Sequence, residues 1–393
     1  MKKTIRDIDV AGKRVLVRVD YNVPINADLK IVDDTRITAT LPTINFLIEH
    51  GAKIILCSHL GRPNGQVDPK MSLRPVLARL SKLLEKPVSF AEDLMDDSTK
   101  ELVEKMQDGD VLMLENIRFY PGEEKNDDKL AKALADLADV FVLEAFGTSH
   151  RKHSSTYGVT KYIPAVCGFL VEEELKMFDK ILNKAERPFV AILGGAKIAD
   201  KLPVVENLID KVDTILIGGG MAYTFIKAIG GSVGNSIIDN TKIELASQLL
   251  DKAKEKGVKI ILPIDNVGAK DFSEESETKL FNSGFFADDY QGMDIGPKTI
   301  KAFKKVIKKA RTIVWNGPVG VYEYEKFKRG TNKIAKYVAK SKAVSVIGGG
   351  DSVAALQSLG MARKVSHIST GGGASLMLLQ GKTLPCIEVI EDI

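Results

Sequence analysis

Short apolar runs recur along the chain, separated by longer stretches with apolar residues at helical spacing. In the first half the runs are RVLVRV (14–19), KIILCS (53–58), DVLMLE (110–115) and DVFVLE (139–144). In the second half they are PFVAILGG (188–195), DTILIGGG (213–220), VKIILP (258–263), RTIVWNG (311–317) and AVSVIGGG (343–350). They are rich in β-branched residues and alternate little, as expected of strands covered on both faces. TRITATLPTINFLIEHG, which ends on a glycine, and SLRPVLARLSKLLEK read as helices between them. Alternating strands and helices predict an α/β fold with parallel sheets and right-handed crossovers.

The stretch VEEELKMFDKILNKAERP (171–188) stands apart, with Leu175, Phe178, Ile181 and Leu182 on one face and charges on the other. It falls near the middle of the chain, between two sets of strands, and reads as a helix joining two domains. The alternative is one more crossover helix within a single large sheet. The length of 393 residues favours two domains, because single cores stop growing near 250–300 residues. No internal repeat or low-complexity tract interrupts the pattern.

Composition is that of an ordinary globular protein, with 44% hydrophobic and 27% charged residues. A net charge of +4 is too small to point to nucleic acid by itself. No apolar stretch has the length of a membrane helix, and the first residues lack the apolar core of a signal peptide. Cys57, Cys167 and Cys386 are widely spaced and lie in apolar surroundings, which suits reduced thiols and offers no metal-binding spacing. A soluble, cytoplasmic protein is expected.

Chemistry enters where the strands end. Ligands of open α/β sheets gather at the carboxyl ends of the strands. In the first half those ends carry Arg18, Asp20 and Asn22, then His59 and Arg62, then Asn116 and Arg118, then His150 and Arg151. Arg36 stands at the head of a helix, within DDTR, where the dipole adds to its field. Each arginine alone reads as a solvated surface charge. Together, at one predicted edge, they point to a small, multiply negative ligand, because the planar guanidinium matches phosphate and carboxylate in pairs. No aromatic residues are interleaved to stack bases, so nucleic acid is not expected.

In the second half, strands run into glycines 218–220, 348–350 and 371–373, and another ends in Gly194-Gly195 ahead of Lys197 and Lys201. Glycine lets backbone N–H groups approach phosphate, and a helix start behind it favours anions. The other reading is tight strand-to-helix packing. Neither a dinucleotide fingerprint nor a P-loop is present. Asp351 suits magnesium and Lys197 suits a phosphoryl group in flight. Two anion sites on separate domains imply a transferase that closes to exclude water.

RVDYNVP, SHLGRP, LENIRF, AFGTSHR, GGAKIADK, GGGMAYTF, WNGPVGVYE, IGGGDS and STGGGAS occur in the order found in phosphoglycerate kinases, covering residues 18–376. The chain resembles that family along its length. The resemblance implies two Rossmann-like domains joined by a central helix and hinge, spanning 1–170, 171–186 and 187–373. Residues 374–393 would return to the first domain. It implies reversible, magnesium-dependent phosphoryl transfer between 1,3-bisphosphoglycerate with ADP and 3-phosphoglycerate with ATP, by a cytoplasmic, hinge-bending monomer with no membrane or nucleic-acid partner.

Carried over by motif, the phosphoglycerate site comprises Arg18, Asp20, Tyr21, Asn22, Arg36, His59, Leu60, Gly61, Arg62, Arg118, His150 and Arg151. The nucleotide site comprises Gly194, Gly195, Lys197, Lys201, Gly292, Asn316, Glu323, Gly349, Gly350, Asp351 and Ser352. Glu323 would hold the ribose and Asp351 the magnesium. Arg36 and Lys197, with the backbone around Gly372 and Gly373, would stabilise the group in transit. The acceptor is a carboxylate with no proton to lose, so no general base is required.

The sequence departs from the family pattern at Glu144, Ser149, Tyr290, Gln291, Met377 and Cys386. None of these removes a basic residue of the predicted site. Met377 and Cys386 are expected to alter closure or stability and leave the chemistry intact. A dinucleotide-dependent dehydrogenase and a non-catalytic scaffold are the competing readings. The missing fingerprint argues against the first, and retention of Arg36, Lys197, Lys201 and Asp351 against the second.

Overall fold

The computed structural model describes residues Met1–Ile393. The chain divides into two compact units, one of Met1–Lys176 with Thr383–Ile393 and one of Met177–Lys382. The first contains a six-stranded sheet built from β1 (Arg14–Arg18), β2 (Lys53–Cys57), β3 (Ser89–Ala91), β4 (Val111–Leu114), β5 (Val140–Leu143) and β6 (Ala165–Cys167). The strand order is β3-β4-β2-β1-β5-β6, and every pairing is parallel. The chain leaves β1 towards β2 on one side and later enters β5 on the other, which makes β1 a topological switch. Val15, Val17, Ile54, Leu56, Val111, Met113 and Val142 pack with Ile37, Ile44, Leu47, Val76 and Leu80 in one apolar cluster. That burial explains why these strands read as unbroken apolar runs.

The second unit holds β7 (Phe189–Leu193), β8 (Thr214–Ile217), β9 (Lys259–Ile261), β10 (Asp265–Ala269), β11 (Thr278–Asn282), β12 (Gln291–Ile295), β13 (Thr312–Asn316), β14 (Val344–Gly348) and β15 (His367–Ile368). Its main sheet, ordered β15-β14-β13-β7-β8-β9, is parallel and reverses direction between β7 and β13. This is the doubly wound order of a Rossmann fold. The inserted sheet β11-β10-β12 is antiparallel. Two sheets, with separate cores, replace the single large sheet that the periodicity had left open.

All nine apolar runs are strands, whereas β3, β6, β10 to β12 and β15 carry no comparable apolar run. β3, β6 and β15 are only two or three residues long, and β11 is largely exposed, so none leaves a buried stripe in the sequence. The helix read from TRITATLPTINFLIEHG is broken into Thr35–Thr38 and Leu41–Glu49, with Pro42 in the first turn of the second piece. Proline is favoured there because its missing N–H would have had no helical partner. The central helix runs Phe169–Leu182. No helix is long and apolar enough to cross a membrane.

Two departures from the family pattern, Ser149 and Cys386, touch one another, and a third, Glu144, packs on a glycine. The backbone N–H of Cys386 donates to the Ser149 carbonyl at 3.2 Å, and its thiol donates to the Arg151 carbonyl at 3.2 Å. Glu144 follows β5 and is buried, with both carboxylate oxygens accepting from Leu170 N–H at 3.2–3.3 Å. It thereby caps the start of the Phe169–Leu182 helix. A Cβ on Gly168 would lie 2.0 Å from Glu144 Oε2, so the larger acid is accommodated by a glycine.

Candidate active site

In the first unit, the loops after β1, β2 and β4 are tied together by side chains. Asn22 Oδ1 accepts from Gly61 N–H at 2.9 Å, and the Gly61 carbonyl accepts from Arg118 Nη1 at 2.8 Å. Asn116 Nδ2 donates to the carbonyls of Leu60, at 2.7 Å, and Met71, at 2.9 Å. Gly61 has a φ of +65° and its missing Cβ would meet Met71 Sδ at 2.7 Å, so a side chain here would be strained and would displace Met71.

Arg36 forms an ion pair with Asp20, and the other Asp20 oxygen lies 3.9 Å from His59 Nε2. Arg36 sits in a single helical turn, Thr35–Thr38, too short for the dipole support expected from the sequence. Arg62 and Arg151 are exposed, and Arg151 Nε donates to His150 Nε2 at 3.1 Å. Arg118 is nearly buried, with Nη2 3.2 Å from Glu124. Its Nε, and Nδ1 of His150 and of His153, are buried without a hydrogen-bond partner. Of these, His153 Nδ1 faces the buried Glu123 carboxylate, with Oε1 at 3.7 Å.

Two residues of the expected site face elsewhere. Arg18 is fully buried, with Nε on Ser155 Oγ at 2.7 Å, Nη1 on the Val19 carbonyl, and Nη2 3.2 Å from His59 Nδ1. Tyr21 is also buried, its hydroxyl 2.8 Å from Thr40 Oγ1. Sequence reasoning missed the group that balances Arg18. Glu123 is fully buried and accepts from Ser155 Oγ at 2.6 Å and Ser155 N–H at 2.9 Å. It lies in PGEEKN, which reads as a polar surface loop, so no local signal identifies it.

Electrostatics make the histidines neutral. Burial, then the charges of Arg18, Arg118 and Arg36, push His59 well below its ordinary value. Burial, then Arg18, Arg118 and Arg151, bring His153 down to about 4. Burial and then Arg151 lower His150. The positive charge of the cluster therefore resides on its arginines.

In the second unit, the ends of β7, β8, β13 and β14 converge at the reversal point. Gly194 N–H donates to the Asn316 carbonyl at 3.1 Å and Gly195 N–H to the Pro318 carbonyl at 2.8 Å. Gly218 N–H donates to Leu193 and Gly219 N–H to Val319, both at 2.9 Å. A Cβ on Gly194 would stand 2.0 Å from the Pro318 carbonyl oxygen. These glycines therefore permit backbone crossing, and their N–H groups do not wait for phosphate as the first reading of the glycines supposed.

The loop after β14 is different. Gly349 has a φ of +90° and precedes the helix Gly350–Ser358, whose first N–H groups have no carbonyl within the helix to bond. Gly350 has no neighbour within 4 Å of a Cβ and no positive φ, so neither packing nor backbone conformation requires glycine there. Close approach of a ligand would. Ser352 Oγ accepts from Gly317 N–H at 2.9 Å and fixes this loop to the one after β13.

Lys201 is buried and donates to Asn316 Oδ1, and desolvation brings it down to about 8. Lys197 immediately precedes the helix Ile198–Ile209 that carries Lys201, makes no capping bond to it, and is exposed. Asp351 is raised by desolvation and then by the negative charge of Glu323. Gly292 lies where a Cβ would collide with the Tyr223 hydroxyl at 1.8 Å, and its N–H donates to Ser236 Oγ. Gly372, with a φ of +48°, precedes the helix Gly373–Leu379.

The family model for phosphoglycerate kinase matches residues 5–382. The phosphoglycerate kinase of Clostridium botulinum strain Hall is 53% identical over 394 residues, covering 100% of this chain and 99% of that protein. That of Finegoldia magna is 53% identical over 393 residues, with the same coverage. The solved structure of phosphoglycerate kinase from Coxiella burnetii superposes with a TM-score of 0.88 at 40% identity, covering 99% of this chain and 98% of that one. The enzyme from Pyrococcus horikoshii OT3 superposes with a TM-score of 0.82 at 35% identity, covering 98% of each. Sequence over the whole length, two parallel sheets and strand-end chemistry agree: the chain belongs to the phosphoglycerate kinase family, phosphotransferases with a carboxyl group as acceptor.

Proposed function

We propose that the arginine cluster of the first unit binds 3-phosphoglycerate and that the strand-end loops of the second bind ATP or ADP with Mg²⁺. The observation that carries the first assignment is the tie from Asn22 through Gly61 to Arg118, which holds three strand-end loops together, with Arg62 and Arg151 exposed on such loops. Arg62, Arg118 and Arg151 hold the phosphate. Arg36 and Asp20 release each other when the substrate arrives, which frees Arg36 for the reacting carboxylate. Asn22 and the backbone of Leu60 and Gly61 shape the wall. Arg18 and Tyr21 act from the core, Arg18 by fixing His59.

At the nucleotide site, Gly194 and Gly195 contribute a flat backbone surface, since their N–H groups are used internally. The helix start at Gly349, Gly350, Asp351 and Ser352 meets the phosphates. Gly292 lies beside the base and Glu323 holds the ribose. Lys201 and Asn316 act as a pair on the phosphate chain. Asp351 suits Mg²⁺, which takes one or two carboxylates together with phosphate oxygens and neutralises charge on them. Lys197, Arg36 and the backbone at Gly372 and Gly373 stabilise the transferring group, and none of them needs to move a proton. The neutral state of His59 agrees with a reaction that needs no general base.

Transfer joins a ligand of one unit to a ligand of the other, so turnover requires hinge closure. The enzyme works as a monomer in the cytoplasm, and light scattering checks the monomer. The activity is tested with ATP, Mg²⁺ and 3-phosphoglycerate, coupled to a dehydrogenase that consumes 1,3-bisphosphoglycerate. Rapid NADH loss, largely abolished by Arg36→Ala, is expected. Undiminished turnover in Arg36→Ala would overturn the assignment of the transfer residues.

A further inference from the structure

At the opposite ends of the second unit's strands lies a concavity of about 620 Å³ that the reaction does not use. It is lined by Lys304, Lys308, Lys309, Arg311, Lys340 and Lys342. Arg311 immediately precedes β13, whereas Asn316 and the nucleotide loops follow it. Five residues of strand, at about 3.3 Å each, separate the two ends. None of the six cations forms a salt bridge. The sequence supplies no partner nearby, because no aspartate or glutamate occurs between Asp294 and Glu323 or between Glu325 and Asp351. At this edge the backbone carbonyl of Glu186 accepts from Thr312 Oγ1 at 2.7 Å, and Glu186 forms no salt bridge with any of the six.

The plain explanation for such lysines is compensation of helix ends. The helices Pro297–Ile307 and Arg329–Ala339 do end here, on Lys308 and Lys340. Each C-terminus carries about half a negative charge, so two of them offset roughly one of the six cations. About five positive charges remain uncompensated around one hollow. In a chain whose net charge is only +4, this is a strong local excess.

We propose that this hollow is a second anion site, for a compact oligophosphate carrying four or more negative charges. A singly charged anion would gain only about 1 kcal/mol from any one exposed cation in water, so a ligand must meet several at once. Five of the six cations are lysines, point charges that donate to phosphate oxygens from any direction and do not select a planar carboxylate. Single-stranded nucleic acid fits less well. The lining has one aromatic residue, Tyr337, and Lys304 Nζ already lies 5.3 Å from the centre of its ring. An anionic bilayer fits less well too, because the hollow is concave and its uncharged lining, Ala310, Tyr337 and Ser341, presents no protruding aliphatic chain to insert.

The probe is inorganic tripolyphosphate, titrated calorimetrically into the whole protein with 3-phosphoglycerate in saturating excess. The difference between parent and a lysine variant isolates the hollow from the nucleotide site, which both share. The six side chains are surface groups, so K308Q/K340Q/K342Q is expected to fold and turn over as the parent does. Its affinity for tripolyphosphate should fall roughly tenfold to a hundredfold, as loss of three exposed charge contacts implies. No binding to the parent, or equal binding to parent and variant, overturns the proposal. Tighter lysine-dependent binding of a short oligouridylate, or of phosphatidylglycerol vesicles, overturns it in favour of nucleic acid or membrane. Pyrophosphate, with fewer charges, should bind measurably more weakly than tripolyphosphate. Equal affinity would also count against an oligophosphate site.

Discussion

Arg18 Nη2 stands 3.2 Å from His59 Nδ1 in a part of the first unit closed to solvent. An arginine can only donate, so Nδ1 of His59 must accept and the ring proton must lie on Nε2, the nitrogen nearest Asp20. His59 is thereby a fixed, neutral donor facing the basic cluster. Nitrogen-15 NMR of the imidazole should report the Nε2–H tautomer at pH 7 and no protonation down to pH 5. A ring that titrates near 6.5 would contradict this arrangement.

Arg18 also faces the buried Glu123 through Ser155. Arg18→Met would remove the cation that most offsets Glu123, leaving only Arg118, and breaking such a buried pair costs on the order of 3–5 kcal/mol. Chemical denaturation should show that loss. Adding Glu123→Gln to the same protein should recover part of it, because the undercompensated acid is then gone. If the double variant is less stable than the single one, the two residues are not acting as a charge pair.

Burial, the largest influence, raises Glu144 to about 8 despite the N–H groups that it caps. A carboxyl whose folded value exceeds its unfolded value of 4.5 holds its proton more tightly in the folded state. Its contribution is fully present below 4.5 and is lost as pH rises through about 8. The slope approaches about 1.4 kcal/mol per pH unit between those limits. Glu144→Gln should flatten the fall in stability between pH 5 and pH 8, as followed by denaturant midpoint. An unchanged profile would place the ionisation of Glu144 outside this range.

Gly194 and Gly350 should respond to alanine in opposite ways. At Gly194 the new Cβ would press against the Pro318 carbonyl, so Gly194→Ala should lower the melting temperature and nucleotide affinity together. At Gly350 it meets nothing, so the protein should keep its melting temperature while its KM for ATP rises. Steady-state kinetics beside thermal denaturation distinguishes them. Equal KM values for Gly350→Ala and the parent would remove the nucleotide from that loop.

Desolvation holds Lys201 near 8, below its ordinary 10.5. For a base lowered in the folded state, stability rises with pH between those values, while the charge offered to a phosphate disappears. The apparent KM for ATP should therefore increase as pH passes 8. In Lys201→Arg, whose guanidinium stays charged, that rise should be absent. A KM that is level from pH 7 to 9 in the parent would separate Lys201 from the nucleotide.

Much of the architecture is present in the order of residues. Strands buried on both faces must be apolar throughout, so nine of them stand out as runs, and polar groups at their ends break the pattern visibly. Arg62, Arg118 and Arg151 stand out for that reason, and Arg36 by its place at the head of a helix. Tertiary structure decided what each group does with its hydrogen bonds. Arg18 and Arg62 look alike in sequence, yet only packing turns one inward onto His59 and leaves the other exposed. Gly194 and Gly350 end similar runs, but the backbone that crosses the first and not the second comes from a distant strand. Glu123 is written as surface and folded as core because its partners lie more than thirty residues away. Local pattern sets which elements form. Which donors and acceptors remain free is a property of chain crossings, and those exist only once the sheets have assembled.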